Sequence, residues 1–279
     1  MSAQMSDTAV RLEEVDSRVR EMADSGTELV VLPELFNTGY DLSYDMREVA
    51  ETDSGPTMSR LLELASELDI VIAATMVCRG ARAGSIVNRA VIVDSGGLLA
   101  SADKFRLWGR ESEQFDRGTG ELALASTPVG TIGVAVCYEA GFPETVRALA
   151  QAGADIIALP AAFGLSRLHA WDLLTRSRAL ENGCFVVAAG LCGSNGSGVA
   201  FAGTSRIVDP RGFVLAELAD VEDAVSRQID LASVAGARID IPYLQELDER
   251  AAHVATRTTI SGISPGQEGR RFAPKEKRC

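Results

Sequence analysis

The stretch Thr131-Ile-Gly-Val-Ala-Val-Cys137-Tyr-Glu-Ala-Gly-Phe-Pro-Glu144 decides how this chain is read. Ile132, Val134 and Val136 fit a buried strand, Pro143 suits the first turn of a helix, and Glu144 suits that helix's positive end. One cysteine stands where the pattern switches from strand to helix. On such an elbow a side chain clears the sheet and can reach a substrate. Most free cysteines merely pack, so Cys137 gains meaning only from partners.

Two other segments supply them. In Glu28-Leu-Val-Val-Leu-Pro-Glu34-Leu-Phe-Asn-Thr-Gly-Tyr40 an apolar run ends in a proline and a carboxylate. In Asp103-Lys104-Phe-Arg-Leu-Trp-Gly-Arg-Glu111 a lysine follows the strand predicted over Gly97 to Ala102. Glu34, Lys104 and Cys137 thus lie just past predicted strand ends, where α/β sheets bind ligands. A carboxylate can take a thiol proton, an ammonium can stabilise developing negative charge, and a thiolate is a strong nucleophile.

With these residues in place, the chain resembles the nitrilase superfamily of carbon–nitrogen hydrolases. Pro33-Glu34, Lys104-x-x-Leu107-x-Gly109 and Cys137-Tyr138-x-x-x-Phe142-Pro143-Glu144 carry the resemblance. So do Gly153-Ala-Asp-Ile, Trp171 with Arg178-Ala-Leu-Glu-Asn182, Gly203-x-Ser205 and Asp209-Pro-x-Gly212, all in the family's order between Gln4 and Tyr243. The resemblance implies an α/β fold, a four-layer α-β-β-α sandwich of two mixed β-sheets packed face to face, that pairs through its helices into a homodimer. It implies a catalytic set of Glu34 as general base, Cys137 as nucleophile forming a thioester, and Lys104 with the Tyr138 backbone N–H holding the oxyanion. Glu111 matches a second family glutamate, expected to orient Lys104 or the substrate amide, and Glu113 lies close to it in sequence. No cofactor is implied. Arg106 stands where the family often has histidine.

Tyr138, where nitrilases proper more often have tryptophan, is similar to the amidase and carbamoylase branches. The expected substrate is a small aliphatic or ω-amide, giving a carboxylic acid and ammonia. The alternatives are an N-carbamoyl amine or amino acid, with Arg147, Arg167 and Arg176 available to hold a carboxylate, and a non-catalytic scaffold of the same fold. The family's first strand has only Met1-Ser-Ala-Gln4-Met5 to supply it, so it is expected to be shortened and to leave ladder groups of its neighbour unpaired.

Composition bounds the rest. The chain has 279 residues, 46% of them apolar and 24% charged, without a Pro/Ser/Gly linker, and reads as one domain over 1–279 with a basic tail at 262–279. A formal charge of -12 argues against nucleic acid as a partner. Cysteines at 78, 137, 184, 192 and 279 form no C-x-x-C pair, and two histidines, His169 and His253, show no metal-ligand spacing, so no metal is expected. No signal pattern and no run of about 18 apolar residues is present, which predicts a cytoplasmic protein without membrane contact.

Periodicity predicts helices over Thr8 to Asp24, Pro56 to Leu68, Pro143 to Ala152 and Leu168 to Glu181. Strands are predicted at Leu29 to Leu32, Ile70 to Met76, Ile86 to Asp94, Gly97 to Ala102, the run into Cys137 and Ile156 to Leu159. Further strands are expected at Phe185 to Ala189, Thr204 to Val208, Phe213 to Leu215 and Val225 to Ile229.

Overall fold

Runs that are apolar on both faces become sheet interiors covered on both sides. In a computed structural model, which describes residues 1–247, β1 (Leu29–Val31), β2 (Val71–Arg79), β3 (Ile86–Asp94) and β4 (Gly97–Asp103) form one sheet in that order. β1 and β2 run parallel; the other pairs are antiparallel. A second sheet contains β5 (Leu124–Thr127), β6 (Gly130–Val134), β7 (Ile156–Ala161), β8 (Phe185–Gly190), β9 (Arg206–Val208) and β10 (Val214–Glu217), in the order β10-β9-β8-β7-β6-β5. β6, β7 and β8 are parallel there and the outer pairs antiparallel, so both sheets are mixed.

Strand alternation sorts side chains between two cores. Val71 and Ala73 of β2, with Ala90 and Ile92 of β3, meet Ile132, Val134, Ile156 and Ala158 of the second sheet. The opposite faces send Ile72, Ala74, Met76, Val91 and Val93 against α1 (Thr8–Asp24) and α2 (Pro56–Leu68), where Val15, Val19, Leu61 and Leu64 are buried. α4 (Pro143–Gln151) and α5 (Leu168–Asn182) cover the second sheet through Val146, Leu149, Trp171 and Ala179. The layers are helix, sheet, sheet, helix. Each fully buried aliphatic side chain contributes roughly 1.5–3 kcal/mol. Among the described residues no helix is long and apolar enough to cross a membrane.

The sequence boundaries hold closely for α1, α2 and β3, where Asp7 caps α1 by accepting from the Ala9 N–H and Pro56 opens α2. Five elements differ. Val225 to Ile229 is no strand: only Val225 and Ile229 are half-buried, the residues between them are exposed, and no ladder forms. β5, the short α3 (Glu111–Gln114) and α6 (Ala232–Asp240) were not expected from periodicity. Finally, β6 ends at Val134, so Cys137 opens a short 3-10 turn, Cys137–Gly141, before α4.

At the N-terminus Ser2 bridges Cys192 in parallel, and the buried Arg11 donates to the carbonyls of Ser2 (2.9 Å), Gln4 (3.1 Å) and Phe36 (2.5 Å). Gly39, at φ +86°, is required beneath this strap, because a Cβ there would sit 2.4 Å from the Gln4 carbonyl oxygen. β1 pairs with β2 alone, and a cavity of about 1090 Å³ opens beside it between α1, β8 and β9. Met1–Glu246 forms one compact unit. The tail at 262–279, His253 and Cys279 lie outside the described residues.

Candidate active site

Glu34 follows β1 by way of Pro33, and the next residue, Leu35, is a buried non-glycine at φ +48°. Cys137 shares that conformation, at φ +48°. Left-handed backbone costs an L-residue roughly 1–2 kcal/mol, so local strain falls beside the acid and on the thiol. The Leu35 N–H donates to Thr75 Oγ1 of β2 (3.0 Å), which holds the turn that points Glu34 inward.

Lys104, at the exit of β4, meets Glu34 there. Its Nζ lies 2.7 Å from Glu34 Oε1 and 2.8 Å from both carboxylate oxygens of Glu111. All three side chains are buried. The remaining lone pairs are filled as burial demands. Asn88 Nδ2 of β3 donates to Glu34 Oε1 (2.8 Å), and the Ala162 N–H, just after β7, donates to Glu34 Oε2 (3.0 Å). Tyr40 Oη and the Trp108 N–H donate to Glu111 at 2.7 and 2.6 Å. Glu113, by contrast, is exposed and pairs with Arg110 at 2.9 Å. Of the two glutamates weighed from sequence, Glu111 is the one on Lys104.

Cys137 is 6% exposed, more than Glu34, Lys104 or Glu111. Its sulfur is within interacting reach of the Glu34 carboxylate and the Ala162 N–H. Burial, then the negative charge of Glu34, holds the thiol well above its ordinary pKa, so the resting sulfur is protonated. Burial also raises the Glu34 carboxyl, opposed by Lys104 and reinforced by Glu111. Burial pulls the Lys104 ammonium down, but Glu111 and Glu34 outweigh it and hold the proton on. Burial and Glu111 keep the Tyr40 phenol protonated.

Two supports brace the loops around the reactive residues. Glu139, buried in the turn after Cys137, accepts from the N–H groups of Phe105 (2.9 Å), Arg106 (3.2 Å) and Val136 (2.9 Å). One carboxylate therefore ties the backbone following Lys104 to the backbone preceding Cys137. Arg178 of α5 donates to the Ala140 carbonyl (2.8 Å) and pairs with Glu181 (2.5 Å). Asn88 and Thr75 had one available signal, a polar side chain inside an apolar strand run. Tyr138 lies at the site's rim, its ring 4.8 Å from Trp108 and 5.1 Å from Phe142. Trp171 packs, fully buried, with its indole N–H on the Thr204 carbonyl (3.0 Å). Cys78 and Cys184 are buried, and burial pushes each thiol up to about 12. Among the described residues no group of three or more His, Cys, Asp or Glu side chains is arranged to hold a metal ion.

Known proteins share this arrangement of sheets. The chain is 35% identical over 244 residues to the deaminated glutathione amidase of Bos taurus, covering 82% of this chain and 71% of that protein. It is 32% identical over 241 residues to omega-amidase NIT2 of Homo sapiens, covering 82% and 86%. The amidase of Nesterenkonia sp. AN1, of the nitrilase superfamily, superposes with a TM-score of 0.75 at 29% identity, covering 90% of this chain and 94% of that one. That structure is of a mutant with acrylamide added at the active site cysteine. A model of the carbon-nitrogen hydrolase family matches residues 2–239. The chain belongs to the carbon-nitrogen hydrolases of the nitrilase superfamily.

Proposed function

We propose that the protein hydrolyses the carbon–nitrogen bond of a small linear amide, aliphatic or ω, through a thioester on Cys137. The observation that carries this reading is the buried cluster of one ammonium and two carboxylates, Lys104 Nζ within 2.7 Å of Glu34 and 2.8 Å of Glu111, set beside the thiol. The amidase names of the relatives support the substrate class.

In the proposed sequence the Cys137 proton passes to Glu34 as the sulfur bonds the amide carbon. The carbonyl oxygen becomes an oxyanion, held by Lys104 Nζ and the Tyr138 N–H; a donor of this kind contributes roughly 3–4 kcal/mol. Collapse breaks the C–N bond, and Glu34 returns its proton to the departing nitrogen, which leaves as ammonia. Water then gives a proton to Glu34 and its oxygen to the thioester carbon, and release of the acid restores the thiol. Glu111 holds Lys104 in place, and Tyr40 and the Trp108 N–H hold Glu111.

We take the compartment to be the cytoplasm, since Cys137 works as a thiol and Cys78, Cys184 and Cys192 are likewise free. We take the chain to pair as a homodimer through its outer helices, where Leu173 and Leu180 stand exposed seven residues apart on α5. A carbamoylase has no observation of its own here, and a scaffold would have no use for so costly a buried charge cluster.

Ammonia release across aliphatic amides, ω-amides, nitriles and N-carbamoyl compounds tests the reading. Amide turnover is expected, and Cys137→Ala should lower it by about 10⁴-fold or more with an unchanged fold, because alanine keeps the same Cβ on the same backbone. Retained turnover in that variant, or turnover of N-carbamoyl compounds alone, would overturn it.

A further inference from the structure

The rim of the site carries a row of aromatic rings with an arginine at each end. Arg167 lies 4.9 Å from the ring centre of Trp108, Trp108 packs on Tyr138, Tyr138 on Phe142, and Arg106 sits 4.6 Å from Phe142. Tyr138 directly follows Cys137 in the chain. Trp108 is 41% exposed, so the row faces solvent at that end. Arg167 reaches it from the short turn Leu165–Arg167, five residues after Ala162, whose N–H holds Glu34.

The two arginines are not equivalent. Arg106 has an aromatic ring on both sides, Phe105 at 4.9 Å as well as Phe142, and acts as a clasp between loops. Arg167 rests on one ring and, among the described residues, forms no ion pair. Of the three arginines available to hold a carboxylate, Arg176 is engaged by Asp172 and the Gly212 carbonyl and Arg147 by the Glu181 carbonyl, which leaves Arg167. A stacked guanidinium keeps its N–H edge free for a planar carboxylate. In a protein of formal charge -12, an anionic substrate also needs a local cation to offset the general repulsion.

We propose that Arg167, stacked on Trp108, forms an anion subsite that holds a carboxylate at the far end of the substrate from the amide. The preferred substrate is then the monoamide of a short dicarboxylic acid, and its product a dicarboxylate. The inference rests on the amidase reading above and assigns the specificity to one guanidinium.

The test compares the monoamide of glutaric acid with the uncharged pentanamide, in the full chain and in the variants Arg167→Gln and Arg106→Gln. In Arg167→Gln the ratio of kcat/KM for the charged over the uncharged amide should fall by about 10- to 100-fold, the scale of a charge-assisted hydrogen bond. In Arg106→Gln that ratio should stay within about threefold of the parent, since no bond to the carboxylate is removed. Glutarate binding, read from Trp108 fluorescence or by calorimetry, should weaken to the same extent in Arg167→Gln only. An unchanged ratio, an equal loss on both amides, or glutarate affinity indifferent to Arg167 would overturn the subsite. A parent that hydrolyses neither amide refutes the amidase reading, while glutarate binding still decides the subsite.

Discussion

Replacing Glu139 by Gln isolates a support that touches no substrate. The buried carboxylate accepts the Phe105 and Arg106 N–H groups on Oε1 and the Val136 N–H on Oε2. Glutamine has the same shape but only one carbonyl oxygen. If that oxygen keeps Phe105 and Arg106, the new NH₂ group faces the Val136 N–H, donor against donor. A hydrogen bond to a charged acceptor is worth roughly 1.5–3 kcal/mol, and an orphaned buried donor costs roughly 1–3 more. Relief from burying a carboxylate offsets part of this, which leaves a loss of about 3 kcal/mol. For a domain of this size the melting temperature should drop by roughly 6–12 °C, at about 2–4 °C per kcal/mol. Activity should fall more steeply, because the same carboxylate sets the spacing between Lys104 and Cys137, and displacing a reacting group by about 1 Å can cost roughly 100-fold. Scanning calorimetry and ammonia-release kinetics on Glu139→Gln measure both. Glu144→Gln, a solvent-exposed carboxylate five residues on, is the control and should move stability by under about 0.5 kcal/mol. A Glu139→Gln protein that melts within 2 °C of the parent (about 0.5–1 kcal/mol) with kcat unchanged would refute the reasoning.

Two more perturbations probe the charge cluster. In a pH–rate profile the acid limb of kcat/KM should have its midpoint above about 4.3, the ordinary glutamate value, because burial and Glu111 together hold the Glu34 proton on against Lys104. On the alkaline side Lys104 is held above its ordinary value by Glu111 and Glu34, so its loss should cut activity only beyond about pH 10.4; a fall centred near pH 8 would contradict this. Lys104→Met should destabilise the fold by about 3–5 kcal/mol by stripping two buried carboxylates of their cation. In that variant burial leaves the Glu34 carboxyl raised over its unfolded value, with no cation to oppose it. Stability is then retained below about pH 4.3 and lost as pH climbs through the folded value. Urea unfolding at pH 5 and pH 8 should show the deficit growing with pH, and a deficit independent of pH would count against a charge origin.

What was legible in the sequence follows from what is local. β3 and α1 were readable to the residue because their apolar periods and their end signals, the Asp94-Ser-Gly-Gly97 turn and the Asp7 cap, all lie within the element. The reactive residues Glu34, Lys104 and Cys137 were readable as strand-end side chains of complementary chemistry. The partners that support them were not. Asn88 reaches Glu34 only because β3 lies beside β2 in the observed register, and Glu139 reaches Phe105 across 34 positions of sequence. Val225 and Ile229 misled for the same reason: two β-branched residues declare propensity, but a strand needs a neighbour.

The cluster's net charge explains why so buried a site can hold a nucleophile at all. With Glu34 and Glu111 ionised, Lys104 protonated and Cys137 neutral, the four groups sum to one negative charge, and their lone pairs are spent on Asn88, Ala162, Tyr40 and Trp108. Ionising the thiol to solvent would make two, which is why burial and Glu34 hold its proton on. Passing that proton to Glu34 instead keeps the sum constant, so the thiolate can form without adding charge to a dry site. The oxyanion of the tetrahedral intermediate then takes over the thiolate's negative charge, and Lys104 sits where either can be met. A site built this way has no need of a preformed thiolate; it needs an acid whose own proton affinity has been raised, and burial, with Glu111 beside it, raises that of Glu34.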